Sequence, residues 1–273
     1  MFKKYISNSY LKKFSFLTIL WLALTASGVV LLFYGAISIL SFLFSSNHSL
    51  LELIVTSSLA FIGLPLGWFH FHIAKHLKKY ISTQKKGWEG EQLFYKLDSL
   101  NIKHKRLTDL DLITPDGEKS QIDALIILPK VVICVEIKNR ASYYVDKDGK
   151  WYSLKFKKWV NTRSPIAQNE YHCKFIKSLL YNNGFSTDVW SLVVLTDPRG
   201  EYRLENLKVP HKTKLITLDE VGKTIYEISS SSKVDTFLNL DSIENTILKY
   251  QEPFDFEKTI KKELGYFIKY LIE

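Results

Sequence analysis

An uncharged run of 31 residues at 14–44, FSFLTILWLALTASGVVLLFYGAISILSFLF, constrains this chain more than any other feature. A helix needs about 20 predominantly apolar residues to cross a bilayer. A second uncharged run, LIVTSSLAFIGLPLGWFHFHIA at 53–74, follows after a short connection at 45–52. Helices that are apolar on every side must be buried, and two in succession predict an antiparallel transmembrane hairpin in a lipid bilayer. Lysines flank the outer ends of both runs and are absent from the connection, which predicts both chain ends on the cytoplasmic side of an inner or plasma membrane. The apolar stretch is too long for a cleaved leader, and Ala23 and Ala26 make a poor cleavage site. The expected order is a basic N-terminus (1–13), a first span (14–44), an external loop (45–52), a second span (53–74) and a basic linker (75–86). A domain at 87–228 and a helical tail at 229–273 follow.

The net charge of +9 invites a nucleic-acid reading, so its location matters. Up to Lys86 nine lysines face one acid, Glu52; from Gly87 onward 28 basic residues face 27 acidic ones. The high isoelectric point therefore describes the first third of the chain. Cys134 and Cys173 stand apart, with no C-x-x-C or Cys/His cluster beside them, which suggests a reducing compartment and no zinc site.

After residue 87 the pattern alternates between helix and strand. Leu93, Leu97 and Leu100 have helical spacing. SQIDALIIL and VVICVEIK are β-branched runs joined by Pro129-Lys130, and SYYVDKDGKWYSLKF predicts a second hairpin turning at Asp146 to Gly149. SPIAQNEYHCKFIKSLLYNNG opens with Ser164 as N-cap and Pro165 at the first helical position, and closes on Gly184. VWSLVVLTD and TKLITL predict further strands, residues 219–228 a short helix, SSSSK at 229–233 a loop, and Phe256, Ile260, Leu264, Phe267 and Leu271 an amphipathic final helix. The fold class is α/β, a mixed sheet flanked by helices.

Three charged residues, Asp123, Glu136 and Lys138, interrupt runs that otherwise read as buried strand. A hairpin symmetric about Pro129-Lys130 sets Asp123 opposite Glu136 and Gln121 opposite Lys138, on one face. Two opposed carboxylates need a cation. Lys138 supplies one in an edge salt bridge; a divalent metal supplies a stronger one. Carboxylate oxygens select Mg²⁺ or Mn²⁺, which activate water and clamp a phosphodiester. Spacing alone leaves both readings open.

GWEGE at 87–91, QID at 121–123, EIKN at 136–139 and SPIAQNEYH at 164–172 occur in the order and spacing of the NERD (nuclease-related) domain. The chain resembles that family, which is similar to the PD-(D/E)xK restriction-endonuclease-like nucleases. The resemblance implies a restriction-endonuclease-like sheet in which Asp123 and Glu136 are metal ligands and Lys138 is the catalytic lysine. It implies also that Glu91 is an additional acidic group and Gln168 a supporting polar residue. Ser164-Pro165 stands where many members have Asn-Pro. On the helix from Pro165, Gln168 and His172 align with Phe175 and Leu179, so its inward stripe is polar at one end and apolar beyond.

Basic and aromatic residues interleave at 149–163, so Lys150, Trp151, Lys155, Lys157 and Lys158 are candidate nucleic-acid contacts. The expectation is a membrane-anchored, Mg²⁺- or Mn²⁺-dependent nuclease acting on DNA in preference to RNA. A non-catalytic membrane-bound module of the same fold, binding nucleic acid or protein, is the alternative, favoured by the near-neutral charge beyond residue 87.

Overall fold

The computed structural model describes residues 8–44, 49–97, 102–140, 142–155, 158–232, 237–253 and 255–272. The described helices are α1 (Asn8–Phe44), α2 (Leu50–Tyr95), α3 (Pro165–Asn182), α4 (Val221–Ser231), α5 (Leu240–Leu248) and α6 (Phe256–Ile272). The chain divides into two compact units, one of residues 1–85 with 254–273, the other running from Lys86 to Pro253.

In the first unit α1 and α2 approach through glycines. A Cβ on Gly67 would lie 2.9 Å from the backbone nitrogen of Leu32 and 3.0 Å from the carbonyl oxygen of Gly28, and one on Gly63 would lie 3.2 Å from the carbonyl oxygen of Leu31. Small residues that let two backbones meet are the packing device of helices in lipid, where burial of apolar surface gives no drive to associate. Residues Ser15–Ser41 are long and apolar enough to cross a membrane, with mean hydropathy 2.3, and this segment leaves Ile19, Val29 and Phe33 exposed, unlike a core helix.

Among the described residues this is one such helix, where two were expected. The described part of the second run is interrupted by Gly63, Pro65, Gly67, His70 and His72, and the side chains of Leu53, Thr56, Leu59 and Ala60 lie outside the description. The run is instead the opening of a 46-residue helix that passes through Pro65 and continues into the lysine-rich stretch. The 45–48 part of the expected external loop also lies outside the described residues. Helix α6 packs on this unit: Phe267 shares a core with Leu17, Leu77 and Tyr80, and the Tyr80 hydroxyl donates to the buried Glu263 carboxylate at 2.8 Å.

The second unit is built on two sheets. The first has the order β1 (Lys105–Ile113), β2 (Lys119–Ile127), β3 (Val131–Lys138), β7 (Asp188–Leu195), β9 (Thr213–Thr217). Its β1–β2–β3 part is antiparallel and its β3–β7–β9 part parallel, so the sheet is mixed, as expected. The second has the order β6 (Lys158–Thr162), β5 (Trp151–Lys155), β4 (Ser142–Val145), β8 (Glu201–Arg203). In the β2–β3 hairpin Ala124 faces Val135 and Ile127 faces Val132, the symmetry about Pro129-Lys130 read from the sequence, with Leu128 N–H donating to Val131 O across the turn.

Helices cover both faces of the first sheet. On one, α3 and α5 bring Phe175, Ile176, Leu240 and Ile243 against Leu125, Val132 and Cys134; on the other, Phe94 of α2 and Ile225 of α4 meet Ile126, Ile133 and Val135. Ser164 caps α3 by accepting from Ala167 N–H, and Gly184 beyond its C-terminus has φ +83°, a conformation glycine adopts at little cost. Strands β1, β6 and β8 and helix α5 are additions to the sequence reading. Ser229 to Ser231, expected as loop or linker, continue α4, and there the Ser230 and Ser231 hydroxyls donate to the carbonyls of Tyr226 and Ile228. Lys233 lies outside the described residues.

Leucine at position 67 has no room between α1 and α2. Gly67→Leu should lower the melting temperature of the detergent-solubilised chain by several degrees, whereas an unchanged melt would show that the glycine contact contributes nothing.

Candidate active site

The β2–β3 ladder stops at Ala124 and Val135. The next facing pair is Asp123 and Glu136, and here β2 gives up its backbone pairing: the Asp123 carboxylate accepts the Ile137 N–H through Oδ2 at 2.7 Å. Strand β3 continues on its other side, where Glu136 pairs with Val193 and Lys138 with Leu195 of β7. A gap thus opens at one end of the sheet between a strand that has stopped pairing and one that has not.

The side-chain phase of both neighbouring strands changes at the same place. Leu107 and Leu110 of β1, three residues apart, face the same core, and so do Leu125 and Ile122 of β2. Regular alternation would put residues three apart on opposite faces. The change falls on Asp109, which has φ +53° and stands between the pairs Thr108–Ala124 and Leu110–Ile122, hence opposite Asp123. This releases Asp123 from the facing pattern of its strand and leaves its carboxylate free to reach sideways to β3.

Glu136 is 1% exposed, and its Oε1 forms an ion pair with the Lys138 ammonium without accepting a well-aligned hydrogen bond. Its Oε2 lies 3.5 Å from His172 Nε2 on α3, and His172 Nδ1 lies 2.7 Å from the Ser120 hydroxyl of β2. Burial and the neighbouring Asp123 charge push the Glu136 carboxyl up to about 7, against the pull of Lys138 and Arg163. Burial also raises Asp123, with Asp109 adding to it and Lys138 and the Ile137 N–H opposing. Lys138 loses affinity for its proton through burial but gains more from Glu136 and Asp123, so it is held above the ordinary lysine value and stays charged. His172 is pushed down to about 4 by burial, Lys138 and Arg163, which keeps it neutral. With Ser120 donating to Nδ1, the proton would sit on Nε2 and face Glu136.

Two carboxylates that both hold protons too tightly, beside a single ammonium, form a centre short of positive charge. The oxygen donors, with a buried Glu136 oxygen that lacks a hydrogen bond, fit a small hard cation of the Mg²⁺ or Mn²⁺ kind. Among the described residues no group of three or more His, Cys, Asp and Glu side chains is placed to hold a metal ion. Two carboxylates leave coordination positions for water and phosphate oxygens, as Mg²⁺ prefers.

Helix α2 reaches this end of the sheet through Gly90. A Cβ there would lie 2.5 Å from Asn139 Cβ and 2.6 Å from Thr196 Oγ1, the residues that follow Lys138 and Leu195, and Asn139 Nδ2 donates to Lys86 O at 2.6 Å. Glu91 is the next residue. One turn on, the Tyr95 hydroxyl donates to Asp123 O at 3.0 Å, and Glu91, Asp123 and Asp109 all add to the burial that raises its phenol. Arg106 of β1 secures the end of α2 by donating to Tyr95 O and Leu97 O.

Gln168 is half-buried one turn before His172; among the described residues its side chain makes no hydrogen bond to Asp123, Glu136 or Lys138. Its neighbour Asn169, fully buried, fastens α3 to the sheet by donating to Cys134 O and Ser191 Oγ. Lys150 and Lys158 are exposed, Lys157 lies outside the described residues, and of Lys155 only the strand backbone is described. Trp151 is not an exposed contact: at 4% exposure it packs with Tyr143, Val145 and Ile166, because the hairpin turns that face inward. Asp109 and Gly90 were missed; the first has no sequence signature, while the second lay in plain view in GWEGE.

The mixed sheet thus gathers two carboxylates and a lysine at the end of a parted strand pair. The family model described as Nuclease-related domain (NERD) matches residues 86–196, which contain every residue of this site. Neither a curated protein nor a solved structure matches the chain.

The two glycines of GWEGE separate packing from propensity. Gly87 has open space around it, so Gly87→Ala should raise helix stability by up to about 1 kcal/mol. Gly90→Val should cost roughly 1–3 kcal/mol through overpacking and shift Glu91 away from the sheet end. Thermal melts of the two variants would test the contrast, and equal effects would refute it.

Proposed function

We propose that the second unit hydrolyses phosphodiester bonds of nucleic acid, DNA in preference to RNA, and is attached to a bilayer through α1. The observation that carries this reading is the convergence of Asp123, Glu136 and Lys138 where the β2–β3 ladder ends. The NERD match supports the nuclease-like class, and the exposed apolar surface of Ser15–Ser41 supports the anchor. The lysines of α2 at 75, 78, 79, 85 and 86 favour placing the second unit on the cytoplasmic side.

Asp123 and Glu136 would hold Mg²⁺ or Mn²⁺, which lowers the pKa of a bound water and offsets phosphate charge. Asp123 is fixed for that role by the Ile137 N–H, and Glu136 by the depth of its burial. Because Lys138 keeps its proton, its task is electrostatic: it orients water and stabilises negative charge developing on the phosphoryl oxygens. A charged lysine cannot also accept the proton of the attacking water. The neutral His172, held by the Ser120 hydroxyl at Nδ1, sets its Nε2 3.5 Å from Glu136 Oε2.

Metal-dependent cleavage of DNA or RNA by the solubilised full chain should fall at least a hundredfold in Glu136→Gln and in Lys138→Ala. Mn²⁺ should raise the melting temperature of the wild type and not that of Glu136→Gln. Variants that cleave like the wild type would remove the site assignment, and metal binding without cleavage of any nucleic acid would favour a binding module.

A further inference from the structure

The outer face of the second sheet is not accounted for by the candidate active site. Its inner face, Tyr143, Val145 and Trp151, packs into the core. Alternation therefore turns Tyr144, Tyr152, Leu154 and Trp159 outward, and the register sets Tyr144 opposite Tyr152 and Leu154 opposite Trp159. The three rings form one cluster: Tyr144 stands 5.7 Å from Tyr152 and 5.9 Å from Trp159, centroid to centroid. Trp159 is 39% exposed and Leu154 41%, while both tyrosines are partly exposed.

The segment that carries β4, β5 and β6 is basic in sequence, although the Tyr152 hydroxyl donates to Asp146 Oδ2 on the aromatic face. Residues 142–163 hold six basic and two acidic side chains, whereas the rest of the chain from Gly87 onward holds 22 basic and 25 acidic. Arg203 of β8 pairs with Tyr144 and so shares the aromatic face. The face also leads toward the active site. Arg163 follows β6 directly and stands two residues before α3, the helix that sets His172 Nε2 beside Glu136. Four residues of strand, roughly 13 Å, separate Trp159 from Arg163, about the span of four stacked nucleotides.

We propose that the Tyr144–Tyr152–Trp159 face is a stacking platform for unpaired bases, so that the nucleic acid engaged by this chain carries a single-stranded segment. Every base has a flat face that such rings accept, and Arg203 beside Tyr144 would meet a phosphate; duplex bases, stacked on one another, offer no such surface. The platform rests on the nuclease reading for its role beside the site, but binding can be measured without cleavage.

The test is fluorescence anisotropy of labelled (dT)15 and of a duplex of equal length, with the solubilised full chain in EDTA. Single-strand binding tighter than duplex binding is expected, with a loss of roughly tenfold in Trp159→Ser and in Tyr144→Ser and little loss in Trp159→Phe. Melting temperatures close to wild type in these exposed-face variants would establish that the loss is local. Equal affinity for duplex and single strand, or unchanged (dT)15 affinity in both serine variants, would overturn the platform. Single-strand binding that depends on these rings, together with no cleavage in Mn²⁺, would keep the platform and remove the nuclease reading. Cleavage that needs Glu136 but is indifferent to the serine variants on a single-stranded substrate would do the reverse.

Discussion

One backbone hydrogen bond organises the second unit. Where β2 stops pairing with β3, the Ile137 N–H has lost its ladder partner, and an unpaired N–H at this depth would cost about 1–3 kcal/mol. The Asp123 carboxylate takes it over at 2.7 Å. That substitution of a side chain for a strand backbone does two things at once. It ends the hairpin without leaving a donor unsatisfied, and it brings a carboxylate to the edge of Glu136 and Lys138.

The rest of the architecture can be understood as support for this opening. On one side β7 keeps β3 straight through Lys138. Helix α3, nailed to the sheet by Asn169, carries His172 to Glu136. From another side Gly90 lets α2 lie against Asn139 and Thr196, which sets Glu91 and Tyr95 near the opposed strand. The left-handed Asp109 stands at the phase change that frees Asp123 from its strand's regular facing. Non-glycine residues with positive φ are uncommon, and this one lies opposite a proposed ligand rather than in a turn.

Much of this was legible because strand pairing is symmetric. Once Pro129-Lys130 is taken as the centre, the paired residues from Ala124–Val135 to Ile127–Val132 follow, and Asp123 and Glu136 come next, just where the pairing ends. What parity alone could not supply is the sideways aim of Asp123, since that depends on a third strand, β1, whose KRLTDLDLI shows no clean alternation. The hairpin at 142–155 was legible as a hairpin but not as to which face turns inward. Trp151 and Tyr152 are equally apolar neighbours, and only the core of Val193, Leu195 and Ile166 decides between them. Helix α5 also has its sequence signal: Asn239 caps it, and Leu240, Ile243 and Ile247 share a face that packs into the core with α3.

The near-neutral balance beyond residue 87 had seemed to argue against a nucleic-acid enzyme. Net charge, however, averages over surfaces that a ligand never sees together. Acidic side chains such as Asp241 and Glu244 are occupied with Lys105 on α5's side of the molecule. The excess of basic residues lies in the stretch that forms the second sheet and ends in Arg163. Screening confines each surface charge to about 10 Å at ordinary ionic strength, so a phosphate approaching that sheet would respond to the charges of the sheet itself and not to Asp241 or Glu244. The same locality explains why the site itself can be short of positive charge. Burial of Glu136 at the end of the first sheet raises its carboxyl and the neighbouring Asp123 charge adds to this, while Lys138 and Arg163 only partly oppose it.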